Sequence, residues 1–165
     1  MKISYNWLKE YLSINLPAAE VAEMLTNCGL EVEGIETFES IKGGLKGLIV
    51  GEVKTCVKHP NADKLTICKV FDGKEDLHVI CGAPNVQAGQ KVVFAPIGTE
   101  IPNGNFVIKK AKIRGTESSG MICAEDELLL SNDHAGIMVL DEKLKVGKPI
   151  TDALYLNDVI LEIAI

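Results

Sequence analysis

Residues 30–36 read Leu30-Glu31-Val32-Glu33-Gly34-Ile35-Glu36, apolar positions alternating with mostly acidic ones, and this stretch decides how the chain is organised. A period of two sets the apolar side chains on one face and the carboxylates on the other, the pattern of a half-exposed strand. Such a strand needs a partner. The matching pattern stands at the far end, where Val159, Leu161, Ile163 and Ile165 alternate in the same way after the Asn157-Asp158 turn signal. If these two stretches pair, everything between them is an insertion.

Two short amphipathic helices precede the first stretch. Ser4 is placed to cap a helix that sets Trp7, Leu8, Tyr11 and Leu12 on one face and ends by Asn15. Pro17 suits the first turn of a second helix with Val21, Met24, Leu25 and Cys28 as its apolar stripe, and Gly29 supplies a left-handed stop. Helices and paired strands together make a small α+β unit, expected over residues 1–39 and 152–165. Because Ile163-Ala164-Ile165 offers no polar exit, this unit is expected to be truncated at its C-terminal side.

The insertion, residues 40–151, opens on the linker-like Lys42-Gly43-Gly44-Leu45-Lys46-Gly47 and then reads as short β-branched runs between turns. Strands are expected over 48–57, 65–71, 77–81, 91–95, 106–113 and 120–123. Asp72-Gly73 marks a hairpin and Pro102-Asn103-Gly104 a turn. Strands of this number and length suit a small closed barrel of OB type, since closure removes exposed edges. The fold class expected is mainly β with α+β flanks, an OB-fold β-barrel inserted into a small α+β unit.

Composition bounds the function. The chain has 165 residues, 47% hydrophobic and 24% charged, which is the range of a globular protein. Its five cysteines are odd in number and at least 12 positions apart, so neither a disulfide framework nor a C-x-x-C zinc knuckle is available. No apolar signal region leads the chain, and no apolar run reaches the ~20 residues of a membrane span, so a cytoplasmic protein is expected. A net charge of −6 is unusual for a nucleic-acid binder, but the excess acid lies in the flanks: residues 48–150 carry 13 basic and 13 acidic side chains.

There is no P-loop, no G-x-S-x-G, no H-E-x-x-H and no carboxylate pair spaced for acid–base work, so no catalytic or metal centre is expected here. His59, His78 and His134 are scattered and read as surface or turn residues. Three segments are richer: residues 59–65 (HPNADKL), 79–86 (VICGAPNV) and 112–123 (KIRGTESSGMIC). In the first, Asp63 either caps the turn with its own backbone or faces a ligand. Near the third, Lys109, Lys110, Lys112 and Arg114 place four cations within six residues, with Lys110, Lys112 and Arg114 on one face of an extended strand. That stripe suits phosphates, although an edge strand guarded by lysines against aggregation has the same pattern. Ser118 and Ser119 add hydroxyls, and Gly115 and Gly120 let a backbone approach closely. The aromatics of this region, Phe71, Phe94 and Phe106, fall at positions expected to be buried, so weak backbone and shape contact is expected rather than base stacking.

The segments HPNADKL, CGAPN and KIRGTESSGMICAEDEL together resemble the tRNA-binding OB module shared by several aminoacyl-tRNA synthetases and their associated proteins. The opening MKISYNWLKEYL, the stretch NCGLEVE and the closing DVILEI resemble the α+β unit that this module interrupts in bacterial phenylalanyl-tRNA synthetase β chains. The resemblance implies tRNA as partner and carries an RNA-facing role onto Asn61, Lys64, Ser118, Ser119, Gly120 and Met121; with Lys110, Lys112 and Arg114 of the cationic stripe and Asn85 of the second motif, Asn61, Lys64, Ser118, Ser119 and Met121 are the candidate tRNA-binding residues. It also implies an α chain as partner in an α2β2 ligase that uses ATP and Mg2+, with aminoacylation outside this chain, no cofactor in it, and neither DNA nor a membrane as partner. A free-standing tRNA-binding or chaperone-like OB protein and a purely structural packing module are the alternatives.

Overall fold

The computed structural model describes residues 1–43 and 45–165. Gly44, part of the glycine-rich joint read from the sequence, lies outside the described residues. The chain divides into two compact units, Met1–Lys42 with Tyr155–Ile165, and Gly43–Leu154.

The first unit is a three-stranded antiparallel sheet with two helices. Its strands are β1 (Lys2–Ser4), β2 (Val32–Glu39) and β13 (Asn157–Ile163), and its helices α1 (Tyr5–Tyr11) and α2 (Ala18–Asn27). Strand order is β1-β13-β2, so the strand that comes last in sequence is the central one. Leu161 stands opposite both Ile3 and Ile35, and Leu161 and Ile163 are buried. Ser4 caps α1 by accepting from the Trp7 amide at 3.0 Å, a bond worth ~1 kcal/mol. The Ser4 hydroxyl also donates to Asp158 Oδ2, and Asp158 Oδ1 accepts from the amides of Asn6 at 2.9 Å and Val159 at 2.7 Å. One carboxylate thereby ties the start of the helix to the central strand.

Both helices depart from the sequence expectation. The first ends at Tyr11, within the limit of Asn15, and buries Tyr5, whose hydroxyl donates to the Leu16 carbonyl; Trp7, Tyr11 and Leu12 are more than half exposed. In α2, Pro17 is the cap residue instead of the first turn, and Val21 and Ala22 are buried while Met24 and Cys28 are exposed. A seven-residue helix against a three-stranded sheet presents only one turn inward, so the remaining apolar positions of the period face solvent.

The second unit is a nearly closed antiparallel barrel. Its main strands are β3 (Ile49–Lys58), β4 (Thr66–Phe71), β5 (Asp76–Cys81) and β6 (Lys91–Ala95). Shorter pieces follow: β7 (Glu100–Ile101), β8 (Phe106–Val107), β9 (Ala111–Ile113), β10 (Thr116–Ser118), β11 (Met121–Ile122) and β12 (Val139–Leu140), then helix α3 (Ile150–Ala153). The sheet runs β11-β6-β3-β4-β5, with β12 also on β6. Strand β3 serves two neighbours, pairing β6 through Ile49–Glu52 and β4 through Glu52–Lys58, with a register shift between Val53 and Thr55 where it bends from one to the other. Gly51 sits at this crossing because a Cβ there would lie 2.9 Å from Phe94 Cβ and 3.0 Å from Val70 Cγ1.

Val53, Cys68, Val70, Val79, Val92, Phe94, Ile122 and Ile137 fill the barrel. The segment read as a linker contributes Leu45, 2% exposed, to the interior. The single strand expected over 106–113 is two strands with different partners: β8 pairs β7, and β9 pairs β10. Phe106, expected inside, is 44% exposed on the first of these hairpins. Burial pushes the thiols of Cys68, Cys81 and Cys123 up, which keeps them protonated and unreactive. No helix among the described residues is long and apolar enough to cross a membrane.

Candidate nucleic-acid interface

The three motif segments converge on the barrel. The 59–65 loop joins β3 to β4, and the 82–86 turn leaves β5 where Cys81 stands opposite Thr66, so both are at one end of the same strand pair. A Cβ on Gly82 would lie 3.5 Å from Leu65 Cδ2. From the other side, Met121, Ile122 and Ala124 join Ile80–Pro84 and His134–Ile137 around a cleft of about 380 Å³.

In the 59–65 loop the histidine does the local work. His59 is 3% exposed, its Nδ1 accepts from the Asn61 amide at 3.1 Å, and its Nε2 is buried without a partner. Asp63 caps nothing; it is exposed and stands 3.9 Å from Lys58 Nζ. His59 therefore sets the turn, and of the two roles open to Asp63 capping is not the one the structure shows among the described residues. Asn61 and Lys64 are exposed, and among the described residues the Asn61 amide group and the Lys64 ammonium have no side-chain partner.

The 82–86 turn is held by Asn85. Its Nδ2 donates to the Ile137 carbonyl at 2.9 Å and its Oδ1 accepts from the Ile137 amide at 2.9 Å, a two-bond clamp across 52 positions. Its backbone carbonyl accepts from Gln90 Nε2 at 3.0 Å. The clamp passes directly over Gly136, where a Cβ would lie 2.2 Å from Asn85 Oδ1.

The cationic stripe is reshaped. Strand β9 stops at Ile113, and Arg114 (φ 51°) and Gly115 (φ 92°) form the two-residue turn of a hairpin in which Ile113 faces Thr116. Arg114 thus projects from a hairpin tip instead of continuing the face of an extended strand. Lys110 is bound to Glu117 at 3.0 Å, and that hydrogen bond holds the Glu117 carboxyl below its ordinary range. Lys112 lies directly across from Glu117 in the register. Lys109, Lys112 and Arg114 are the exposed cations of this hairpin without an ion pair among the described residues.

Ser118 and Ser119 close the barrel. Ser118 is 4% exposed; its Oγ accepts from the Ile80 amide at 3.1 Å and donates to the Gly120 carbonyl at 3.1 Å. The Ser119 amide donates to the His78 carbonyl at 2.8 Å. These bonds join β5 to the chain entering β11, the one side of the sheet where strand pairing is interrupted. Removing the Ser118 hydroxyl by Ser118→Ala leaves the Ile80 amide unpaired inside the protein and is expected to cost about 1–3 kcal/mol. Hydrogen exchange should then accelerate at Ile80; protection equal to the parent's would mean that water or a local shift replaces the bond.

Among the described residues no group of three or more His, Cys, Asp or Glu side chains is gathered to hold a metal ion. What the surface offers is exposed carboxamide and ammonium donors on the 59–65 loop, and ammonium and guanidinium donors on the β9–β10 hairpin, whose Thr116 and Glu117 lie beside Asp76–His78 at the start of β5; both suit backbone contacts with a polyanion.

Residues 48–149 match a family described as "Putative tRNA binding domain". Over its whole length the chain is 52% identical to the phenylalanine–tRNA ligase β subunit of Bacteroides thetaiotaomicron and 53% identical to that of Bacteroides fragilis, covering 21% of each. It is 49% identical to that of Geobacter sulfurreducens, covering 20%. The chain thus spans about one-fifth of the length of these relatives. The crystal structure of a MetRS related protein from Pyrococcus horikoshii overlaps 62% of this chain and 87% of its own, with a TM-score of 0.47 and 23% identity.

Proposed function

The chain belongs to the family of tRNA-binding domains, and on that premise we propose that it is the tRNA-binding and assembly region of the β chain of a phenylalanine–tRNA ligase. The observation that carries the reading is identity near 50% along all 165 residues, both through the barrel and through the α+β unit that surrounds it in sequence. A free-standing tRNA-binding protein has no need of the second unit.

In this reading the barrel holds tRNA by backbone contact and does no chemistry. Asn61 and Lys64 from the β3–β4 loop, Lys112 and Arg114 from the hairpin, and Ser119 and Met121 beside the seam form the RNA-facing set. Lys110 contributes through its pair with Glu117, and Ser118 and Asn85 hold the surface in shape. Attachment of phenylalanine to tRNA with ATP and Mg2+ belongs to the whole enzyme, an α2β2 assembly in the cytoplasm, with the α chain as partner. Trp7, Tyr11, Leu12 and Leu16, exposed on the α+β unit, support an assembly role alongside RNA binding.

Filter binding with tRNA at two salt concentrations tests the reading, because each neutralised phosphate contributes about 0.7–0.9 to the slope of log K against log salt. The variant Lys112→Ala with Arg114→Ala is expected to bind more weakly and to lose about one unit of slope per lost contact while melting like the parent. Unchanged affinity and slope would move the RNA surface away from the hairpin. No binding by the parent chain would leave packing as its role.

A further inference from the structure

At the end of the β4–β5 pair opposite the motif loops, three lysines from two distant segments share one cleft. Phe71 stands opposite Asp76, so the Asp72–Glu75 turn caps that end and carries Lys74 outward. Lys145 and Lys148 come from the turn before α3. That turn is fastened to β3: the Gly147 amide donates to the Val50 carbonyl at 2.8 Å, the Val50 amide to the Lys148 carbonyl at 2.9 Å, and the Ile150 amide to the Leu48 carbonyl at 3.0 Å. The two turns meet glycine to glycine. A Cβ on Gly73 would lie 3.0 Å from Gly147 Cα, and one on Gly147 would lie 3.2 Å from the Asp72 carbonyl oxygen. The resulting cleft, about 720 Å³, is lined by Lys74, Lys145 and Lys148 with Asp72, Ile49 and Pro96 among its walls.

The charge is available. Lys74, Lys145 and Lys148 are exposed and have no ion pair among the described residues, whereas Lys54, Lys69 and Lys91 on the barrel strands are each within 3.4 Å of a carboxylate. Of the nearby acids, Asp76 is paired with Lys69 at 3.1 Å, and Asp72 Oδ1 is occupied by the amides of Lys74 at 2.7 Å and Glu75 at 2.8 Å. Asp72, whose amide hydrogen bonds leave its charge in place, and Glu75 are carboxylates beside the cleft without an ion pair among the described residues, and the three ammonium groups outnumber them. Three free ammonium groups held on two interlocked turns form a polyanion site of fixed shape.

We propose that this cleft is a second phosphate-contact site for RNA, in which Lys74, Lys145 and Lys148 hold the sugar–phosphate backbone of the tRNA. The proposal rests on the tRNA-binding reading above. The β4–β5 pair is six residues long, so the cleft and the 59–65 and 82–86 loops lie about 20 Å apart along the strands. Strand β5 connects them: it begins two residues after Lys74, and its His78 carbonyl accepts from Ser119 at the seam. The RNA footprint then runs the length of the barrel instead of covering the motif end alone.

Fluorescence anisotropy with tRNA at several salt concentrations tests this on the full chain carrying Lys74→Gln, Lys145→Gln and Lys148→Gln. The slope of log K against log salt should fall by about two to three units, and binding at low salt should weaken about tenfold. The corresponding triple arginine variant should restore both. If the parent binds tRNA and the glutamine variant matches it in affinity and slope, the cleft is not an RNA site and the tRNA-binding reading stands. If the parent does not bind, both fall. If the variant loses heparin but keeps tRNA, the cleft takes a different polyanion and the proposal is overturned.

Discussion

Deleting residues 155–165 is expected to abolish the α+β unit while leaving the barrel folded. The deletion removes β13, which is the centre of the β1-β13-β2 sheet and not an edge. It also removes Asp158, the acceptor for Ser4 and Asn6, and the Leu156 carbonyl that accepts from the Ser40 amide at 2.8 Å. Strands β1 and β2 have no pairing with each other, and two helices of 7 and 10 residues are too short to persist without a sheet to cover. Amides of residues 32–40 should exchange at the rate of unstructured chain, and the far-ultraviolet signal of both helices should vanish. Val70 and Val93, buried in the barrel, should keep their protection. Protection at Ile35 surviving the deletion would show that the two ends of the chain do not depend on each other.

Gly120→Ala is expected to be the most damaging small substitution in the barrel. Its backbone stands at φ 150°, where L residues are strained, and a Cβ would lie 2.4 Å from Phe94 Cζ, 2.5 Å from Cε2 and 2.9 Å from the Ala95 carbonyl oxygen. Phe94 is fully buried and cannot yield without opening the core. Strain and overpacking together should cost about 3 kcal/mol or more. Gly89→Ala is the matched control, because Gly89 has φ 88° but nothing within 4 Å of its added carbon, so it reports strain alone. Thermal or urea unfolding of the pair separates the terms; equal losses would falsify the packing argument.

What could be read from the sequence was local. Ser4 as a cap, the alternation in residues 30–36 and 159–165, and the runs at 48–57, 65–71 and 91–95 each carry their evidence within a few positions, and they fall on α1, on the β2–β13 pair and on β3, β4 and β6. The motif segments were legible as a set, but the work of their side chains was not. Ser118 finds its partner 38 positions away and Asn85 its partner 52 positions away, so nothing local distinguishes a structural hydroxyl or amide from an RNA-facing one. Arg114 in a left-handed turn carries no local signal, because such turns are ordinarily marked by Asn or Asp before Gly. Trp7, Tyr11 and Leu12 follow a helical period whose inward face is taken by Tyr5 alone; periodicity gives a direction, not the area available to cover it. Lys74 of the second cleft, 71 positions before Lys145, joins Lys145 and Lys148 through the Gly73–Gly147 contact.

The central place of β13 also sets an order of events during synthesis. Ser4 and Asp158 are 154 positions apart, and at about 5–20 residues per second a ribosome takes about 8–30 s to make the second after the first. Throughout that interval β1, β2 and their helices wait with apolar side chains uncovered, while the barrel's strands are made one after another between them. The barrel's last pieces, β12 and α3, are made only shortly before β13, so the two units reach completion close together. The nascent N-terminal segment is therefore the stretch of this chain most in need of a chaperone, and slowing translation lengthens its exposure without helping the barrel.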